Sequence, residues 1–197
     1  MIHKTPIAVL ISGRGSNMRA LIEACARPDY PARIVLVLSN RPDAGGLEVA
    51  REVGLPTIAI DHKAFGKDRE AHEIKVDEAI KASGAEIVCL AGYMRVLTPY
   101  LVDAWHGKML NIHPSLLPAF PGLHTHEAAI AAGANEHGCT IHFVTSGVDE
   151  GPVLAQARVP VLPSDTPETL AARVLEQEHQ LYPRVLADVI SRLHPGE

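Results

Sequence analysis

The stretch Ile7-Ala-Val-Leu-Ile-Ser-Gly-Arg-Gly-Ser-Asn17 decides the fold. Its first five residues form a continuous apolar run, which is typical of a parallel strand covered on both faces. Two glycines and two serines follow, and apolar side chains then recur at the spacing of one helix face, at Met18, Leu21, Ile22 and Cys25. The stretch therefore predicts a strand, a glycine loop and a helix that begins near Ser16 or Asn17.

The same alternation continues outward from this stretch through the first half of the chain. Apolar runs predict further strands at 34–38, 57–60 and 86–91, and the segments between them predict helices at 47–53 and 68–83. A polar segment at 61–67, expected to be flexible, precedes the second of these helices. Strands that alternate with helices are typical of a doubly wound, mostly parallel sheet. We therefore expect an α/β fold with a Rossmann-like N-terminal half.

The second half of the chain departs from this pattern. A short helix at 99–105, a strand at 109–113 and a helix at 126–132 are predicted first. Residues 139–144 and 153–161 then alternate between apolar and polar, which predicts an antiparallel hairpin. A C-terminal helix is expected to have Pro167 at its first position and to run to Leu193, with a break or kink at Pro183.

Composition limits the class of protein. A chain of 197 residues with 47% apolar and 21% charged residues is typical of one globular domain. We expect a single domain over 1–197, divided into halves at 1–98 and 99–197. A formal charge of −5 without a cluster of Lys and Arg argues against a nucleic-acid partner, and no apolar run is long enough to span a membrane. Three widely spaced cysteines in apolar patterns predict reduced thiols and a cytoplasmic location.

The glycine loop at 12–17 predicts an anion site. Backbone N–H groups and the positive end of the following helix would converge there, most naturally on a phosphate monoester. As a dinucleotide fingerprint the loop is poor, because a third glycine is replaced by Met18 and the second strand ends in Ser39-Asn40 without an acidic residue. Arg41 keeps an NADP-binding interpretation open. A tight turn that binds no ligand is the other alternative for the loop.

Two polar side chains mark the end of the strand at 109–113. Asn111 and His113 are two residues apart and so project from the same face, and Pro114 ends the strand. Strand ends face the ligand crevice of open α/β sheets, which makes this pair a candidate for acid/base and oxyanion chemistry. The other interpretation is that both side chains merely bond to loop backbone. Asp149, in a glycine-rich loop, is either a turn residue or the carboxylate that stabilises protonated His113.

The eleven histidines raise the question of a metal site. His124 and His126, or His137 and His142, are spaced so that they could supply ligands. No Cys pair, His-Glu-x-x-His motif or carboxylate cluster accompanies them, so we expect no metal.

Five motifs together carry a resemblance to a known family. They are Leu10-Ile-Ser-Gly-Arg-Gly-Ser-Asn17, Leu90-Ala-Gly-Tyr-Met-Arg-Val-Leu97, the run from Leu110 to His126, His142-Phe-Val-Thr and Val148-Asp-Glu-Gly-Pro-Val. In this order, over nearly the whole chain, they resemble the phosphoribosylglycinamide formyltransferases, a folate-dependent formyltransferase family. The resemblance implies transfer of the formyl group of 10-formyltetrahydrofolate, as co-substrate, to the amine of 5-phosphoribosylglycinamide in de novo purine synthesis.

The resemblance also implies roles for individual residues. The catalytic trio would be Asn111, His113 and Asp149. The substrate phosphate and ribose would be bound by Gly15, Ser16, Asn17 and Glu178. The folate would be bound by Arg69, Met94, Arg95, Val96 and Leu97, together with Asn111. The half at 1–98 would thus be the phosphate-binding half, and 99–197 the catalytic and folate-binding half.

Several alternatives remain open from the sequence. A formyltetrahydrofolate deformylase-like hydrolase shares the Asn-x-His-Pro-Ser and Asp-x-Gly elements, although that relative carries an N-terminal regulatory domain. Methionyl-tRNA formyltransferase carries a further C-terminal tRNA-binding domain and is not expected. A non-catalytic phosphate-binding module and an NADP-dependent reductase are hypotheses from other classes. The subunit number is open, and a homodimer is among the options.

Overall fold

A computed structural model describes residues 3–195, and these form one seven-stranded sheet covered by six α-helices. The strands are β1 Thr5–Ile11, β2 Ala32–Ser39, β3 Thr57–Ala59, β4 Ile87–Leu90, β5 Met109–His113, β6 Glu136–Phe143 and β7 Val153–Pro160. The helices are α1 Ser16–Ala26, α2 Gly45–Glu52, α3 Arg69–Ala82, α4 Pro99–Ala104, α5 Thr125–Ala131 and α6 Pro167–Leu193.

The order of the strands confirms the predicted fold class. The sheet runs β3-β2-β1-β4-β5-β6-β7, and every pair from β3 to β5 is parallel. β6 is antiparallel to β7, as the alternating pattern predicts, and it is also antiparallel to β5. β6 begins at Glu136 instead of Cys139, because a residue pair from Glu136 to Pro160 extends the ladder through polar residues and a glycine.

The chain reverses its direction of winding at β1. Strands β2 and β3 lie on one side of β1, and the chain then crosses to β4 on the other side. At such a switch point the loops after the two neighbouring strands diverge and leave a crevice at their carboxyl ends. The backbone N–H of Ser12, just after β1, donates to the carbonyl oxygen of Gly92, just after β4, at 3.1 Å. This hydrogen bond joins the two loops at the base of the crevice.

Apolar side chains pack on both faces of the sheet. The larger cluster joins the sheet to α1, α2, α5 and α6, and the smaller one joins it to α3 and α4. Helices on both faces explain why β1 and β4 read as continuous apolar runs, since all their residues are buried. Between residues 3 and 195, no helix is both long and apolar enough to cross a membrane.

Two sequence-based expectations need correction. Of the break or kink predicted at Pro183, the break is absent, because α6 runs from Pro167 to Leu193 as one helix with Pro183 inside it, and the kink stays a prediction. The buried side chains of Leu181, Tyr182, Val185 and Leu186 flank the proline and offset the loss of one helical hydrogen bond. The polar segment before α3 is also ordered: it contains a 3₁₀ turn, His62–Phe65, capped by the Asp61 carboxylate, which accepts from the N–H of Lys63 at 3.0 Å.

Candidate active site

The glycine loop after β1 has the close packing that an anion-binding loop requires. Gly15 caps α1 with a φ of +71°, a conformation that favours glycine. The N–H of Gly46 in α2 donates to the carbonyl oxygen of Gly13 at 2.9 Å, and a Cβ on Gly46 would lie 2.5 Å from Cδ1 of Ile11. The first turn of α1 carries no acidic side chain. The helix therefore adds no negative charge of its own beside the N–H groups of its first turn.

A cavity of about 490 Å³ opens beside this loop. It is lined by the loop residues 12–17, by Asn40, Arg41 and His62 on the β2 side, and by Ala91, Gly92 and Met94 on the β4 side. The Ser12 hydroxyl donates to Oδ1 of Asn40 at 2.5 Å and accepts from the N–H of Met94 at 2.8 Å. The loop is thus tied to the segment 94–97 that the family resemblance assigns to folate.

The cavity does not favour an NADP phosphate. Both sides of the Arg41 fork are bound to the carboxylate of Asp43, with Nε and Nη2 at 3.1 and 2.9 Å from its two oxygens. An arginine that is already paired in this way has its two best donors occupied.

Glu178 lies at the inner end of the loop although it is distant in sequence. Helix α6 brings its carboxyl group beside Asn17, and the residue is only 7% exposed. Burial raises the pKa of Glu178 from 4.5 to about 7, and a hydrogen bond from Asn17 partly opposes this shift. The carboxyl group is therefore poised to change its charge near neutral pH.

The end of β5 places Asn111 and His113 on the same edge of the sheet as the glycine loop. Nδ1 of His113 lies 3.3 Å from Oδ2 of Asp149, and both side chains are almost fully buried. The N–H of Gly122 also donates to Oδ2 of Asp149 at 3.0 Å. Nε2 of His113 lies 3.0 Å from the carbonyl oxygen of Phe120. Both ring nitrogens thus face acceptors, which is the environment that a protonated imidazole requires.

The loop before β7 positions Asp149 with an unusual backbone. Asp149 has a φ of +55°, which asparagine and aspartate tolerate better than most residues. Two residues on, Gly151 passes so close to β6 that an added Cβ would collide with the carbonyl oxygen of Phe143. The register also shifts between Ile141 and His142, where a bulge re-aims the strand.

The structure adds His142 to the group, a residue that the sequence-based reasoning included in a family motif and among possible metal ligands but gave no part in the catalytic site. Its Nε2 lies 3.4 Å from Nδ2 of Asn111 and 3.7 Å from Oδ1 of Asp149, and its Nδ1 lies 2.9 Å from the carbonyl oxygen of Phe143. Burial lowers the pKa of His142 and favours the neutral ring. A neutral ring that donates through Nδ1 to Phe143 can accept from Asn111 through Nε2 and so orients the amide.

The signal for His142 was present in the pairing of the strands. Asn111 and His142 are direct partners in the β5–β6 ladder. The sequence predicted the hairpin of β6 and β7 but not the antiparallel pairing of β6 with β5, so this juxtaposition was missed.

Apart from Asn111 in β5, the residues assigned to folate lie together, and Met94 among them lines the cavity. Nη1 of Arg69 donates to the carbonyl oxygen of Val96 at 3.3 Å. The side chains of Met94 and Val96 are 67% and 56% exposed, which makes them two of the large apolar side chains that the fold leaves uncovered. Exposed apolar groups beside a polar crevice are suited to an aromatic ligand.

The glycine loop and the imidazole lie on the same edge of the sheet. The loop follows the carboxyl end of β1, and His113 ends β5, which is parallel to β1 and separated from it by β4 alone. Two strand spacings amount to roughly 10 Å. One ribonucleotide can therefore touch both.

Two further histidines, His126 and His137, contact each other outside the catalytic group. Nε2 of His137 lies 3.2 Å from Nδ1 of His126, and burial lowers the pKa of both, that of His137 to about 4. Across the described part of the chain, no three His, Cys, Asp or Glu side chains converge as metal ligands would. The expected absence of a metal stays a prediction.

Comparisons with known proteins give the class of the chain. Residues 5–186 match the formyl transferase family, and the chain belongs to it. Within that family it is similar to phosphoribosylglycinamide formyltransferases: it is 46% identical to the enzyme of Escherichia coli strain K12 over 92% of this chain and 85% of that protein. The crystal structure of the enzyme from Brucella melitensis is 51% identical, with a TM-score of 0.89 over 94% of this chain and 95% of that chain. The resemblance found in the sequence is thereby confirmed.

A second group of relatives is much longer. The chain is 46% identical to the trifunctional purine biosynthetic protein adenosine-3 of Drosophila melanogaster over 94% of its own length, which is 14% of that protein. The chain therefore corresponds to one part of these larger relatives.

Proposed function

We propose that the chain transfers the formyl group of 10-formyltetrahydrofolate to the amine of 5-phosphoribosylglycinamide, in purine synthesis. The observation that carries this proposal is the shared edge of the sheet: the glycine loop at 13–17 and the buried imidazole of His113 follow strand ends that lie within the length of a ribonucleotide. The family matched by residues 5–186 is one of formyl transferases, which agrees with a folate-type formyl donor.

The nucleotide would be held by its phosphate and its ribose. The N–H groups of Gly15, Ser16 and Asn17 at the start of α1 would bind the phosphate, because they lie at the positive end of the helix dipole and the first turn carries no acidic side chain of its own. Glu178 in its charged form would accept hydrogen bonds from the ribose hydroxyls. This arrangement directs the glycinamide amine along the sheet edge toward β5.

The formyl donor would occupy the edge of the crevice beside residues 94–97. Met94, Val96 and Leu97 would cover its ring system, and backbone groups of the segment, with Arg69, Arg95 and Asn111, would provide polar contacts. Burial of these exposed apolar side chains by the ligand would stabilise the complex by roughly 25 cal/mol per Å² of apolar area removed from water.

The chemistry would use donors at the end of β5. The amine attacks the formyl carbon, a C–N bond forms, and negative charge grows on the formyl oxygen. One N–H of the Asn111 amide faces His142, which leaves the other for this oxygen. Protonated His113, paired with Asp149, would donate from Nε2 once the formyl oxygen replaces the carbonyl of Phe120. Removal of one such donor reduces the rate on the order of 10²–10³-fold.

The proton balance needs no covalent enzyme intermediate. The attacking amine loses a proton, and the folate nitrogen that leaves the formyl carbon gains one. A water molecule held by the free lone pairs of Asp149 would carry that proton. Asp149 therefore both holds His113 charged and organises the transfer.

The test is a spectrophotometric assay of the conversion of 10-formyltetrahydrofolate to tetrahydrofolate, with and without 5-phosphoribosylglycinamide. We expect conversion only with the nucleotide, and a formylated nucleotide by mass spectrometry. Conversion without the nucleotide would identify a deformylase-like hydrolase instead, and no conversion in either case would leave a non-catalytic phosphate-binding module. The single domain, its division at residue 98, the cytoplasmic location and the homodimer stay predictions.

A further inference from the structure

The segment 94–97 lies between β4 and α4 without regular secondary structure. Its shape is set by side-chain hydrogen bonds, since no helix or sheet ladder holds it. One anchor is the Ser12 hydroxyl, which accepts from the N–H of Met94. The other anchors come from α3, which packs against α4 on the smaller of the two cores.

Three charged residues form a stripe along α3. Arg69, Glu73 and Asp77 are four residues apart and so share one face of the helix. Arg69 donates to the carbonyl of Val96, and Asp77 accepts from Nε1 of Trp105 at 2.9 Å and from the Tyr100 hydroxyl at 3.1 Å. The first residue of the stripe therefore contacts the segment 94–97, and the last contacts α4 and the residue after it.

Glu73, in the middle of the stripe, bonds to Thr98, the residue directly after the segment. Its Oε1 accepts from the N–H of Thr98 at 2.8 Å and its Oε2 accepts from the Thr98 hydroxyl at 2.5 Å. The side chain is buried, with 3% of the residue exposed. Burying a carboxylate costs several kcal/mol unless its oxygens are bonded, and an apolar residue would pack there with less penalty.

Thr98, the partner of Glu73, does not cap the following helix with its side chain. Thr98 is the N-cap residue of α4, where a threonine hydroxyl normally accepts from an N–H of the first turn. No such side-chain bond is made, and the hydroxyl donates to Glu73 instead. The pair therefore fixes the exit of the segment 94–97 and does not stabilise the start of the helix.

We propose that Glu73 is a positioning residue for the formyl donor: through Thr98 it holds the segment 94–97 in the conformation that receives the folate. This inference rests on the proposed function. Asp77 provides the internal control, because it lies on the same face of α3 and has the same chemistry. Its hydrogen bonds go to Tyr100 and Trp105, which follow the segment, and to Lys81 on its own helix.

The test compares Glu73→Met, Glu73→Gln and Asp77→Asn. Glu73→Met keeps the length of the side chain but leaves both donors of Thr98 unpaired, whereas Glu73→Gln can still accept from the N–H of Thr98 while the hydroxyl turns to accept. We measure the Kd of 5,8-dideazafolate by calorimetry, the KM of each substrate, and the melting temperature. Glu73→Met is expected to weaken folate binding about tenfold, because the segment would then have to be ordered when the folate binds.

The expected pattern separates positioning from stability. Glu73→Gln should restore folate binding to within about threefold of wild type, and Asp77→Asn should lower the melting temperature without changing either folate measure. The KM of the nucleotide should stay unchanged in all three variants. Equal folate binding in Glu73→Met and wild type, or an equal loss in Asp77→Asn, would overturn the proposal.

Two further outcomes keep the test decisive. If Glu73→Met does not fold, Thr98→Val removes the hydroxyl from the other side and should weaken folate binding in the same way, whereas unchanged binding overturns the proposal. A wild-type protein that binds 5,8-dideazafolate but transfers no formyl group refutes the proposed reaction alone, and the calorimetric comparison still decides the role of Glu73. A wild-type protein that does not bind 5,8-dideazafolate overturns both.

Discussion

Replacing Glu178 by glutamine should make the protein more stable and its nucleotide binding weaker. Glutamine mimics the protonated carboxyl group, keeps the size of the side chain and can still bond to Asn17. Burial raises the pKa of Glu178 from 4.5 to about 7. Because the folded protein holds this proton to a higher pH than the unfolded chain does, stability is full below pH 4.5 and is lost as the pH rises through 7.

The size of the effect follows from the interval between the two pKa values. About 2.5 pH units at 1.36 kcal/mol each amount to about 3 kcal/mol lost in the wild type above pH 7. For a chain of this length, that corresponds to roughly 6–12 °C in melting temperature. Glu178→Gln should recover most of this at pH 8 and little at pH 5.

Nucleotide binding should change in the opposite direction. A charged carboxylate accepts hydrogen bonds from ribose hydroxyls more strongly than an amide, by about 1 kcal/mol, so the KM of the nucleotide at pH 8 should rise roughly fivefold. The KM of the wild type should improve from pH 6 to pH 8, while that of the variant stays flat. Calorimetric melts and initial rates at pH 5 to 8 provide both measurements. A variant that is no more stable than wild type at pH 8 would refute the argument from burial, and an unchanged KM would refute the ribose contact.

Three other substitutions test the remaining parts of the site. Asn111→Ala should lower kcat on the order of 10²–10³-fold in a single-turnover assay, and normal turnover by the folded variant would exclude the amide as an oxyanion donor. His142→Phe keeps an aromatic ring but removes the nitrogen acceptor that orients Asn111, so kcat should fall about tenfold while both KM values are preserved. A change in KM alone would mean that His142 acts on binding. Gly151→Ala should destabilise the protein by about 1–3 kcal/mol in denaturant unfolding, because its Cβ meets the carbonyl of Phe143, and an unchanged midpoint would show that the loop can move away.

The parallel half of the fold was predictable because its signals are local. The apolar run at 7–11, its glycine loop and the helical spacing from Met18 are each written within a few residues, and β1 and α1 follow them. The C-terminal helix was found from its capping signals in the same way. Its continuity through Pro183 was not, since that depends on how Tyr182 and its neighbours pack against the sheet.

The site was only partly predictable because it is assembled over long sequence distances. Asn111 and His113 could be paired from the two-residue period of a strand, but their contacts with Asp149 and His142 depend on the antiparallel ladder and on the bulge in β6. Glu178 reaches Asn17 only through the packing of α6 on α1. Such contacts are set by topology, which a local pattern does not encode.

A crystal structure with 5-phosphoribosylglycinamide and 5,8-dideazafolate bound together is the most direct test of the account. We expect the phosphate within hydrogen-bond distance of the N–H groups of residues 15–17, and the amine beside Asn111 and His113. The carbonyl of Phe120 should no longer contact Nε2 of His113. A nucleotide bound with its phosphate away from the loop, or with its amine directed toward Asn40 and His62, would contradict it.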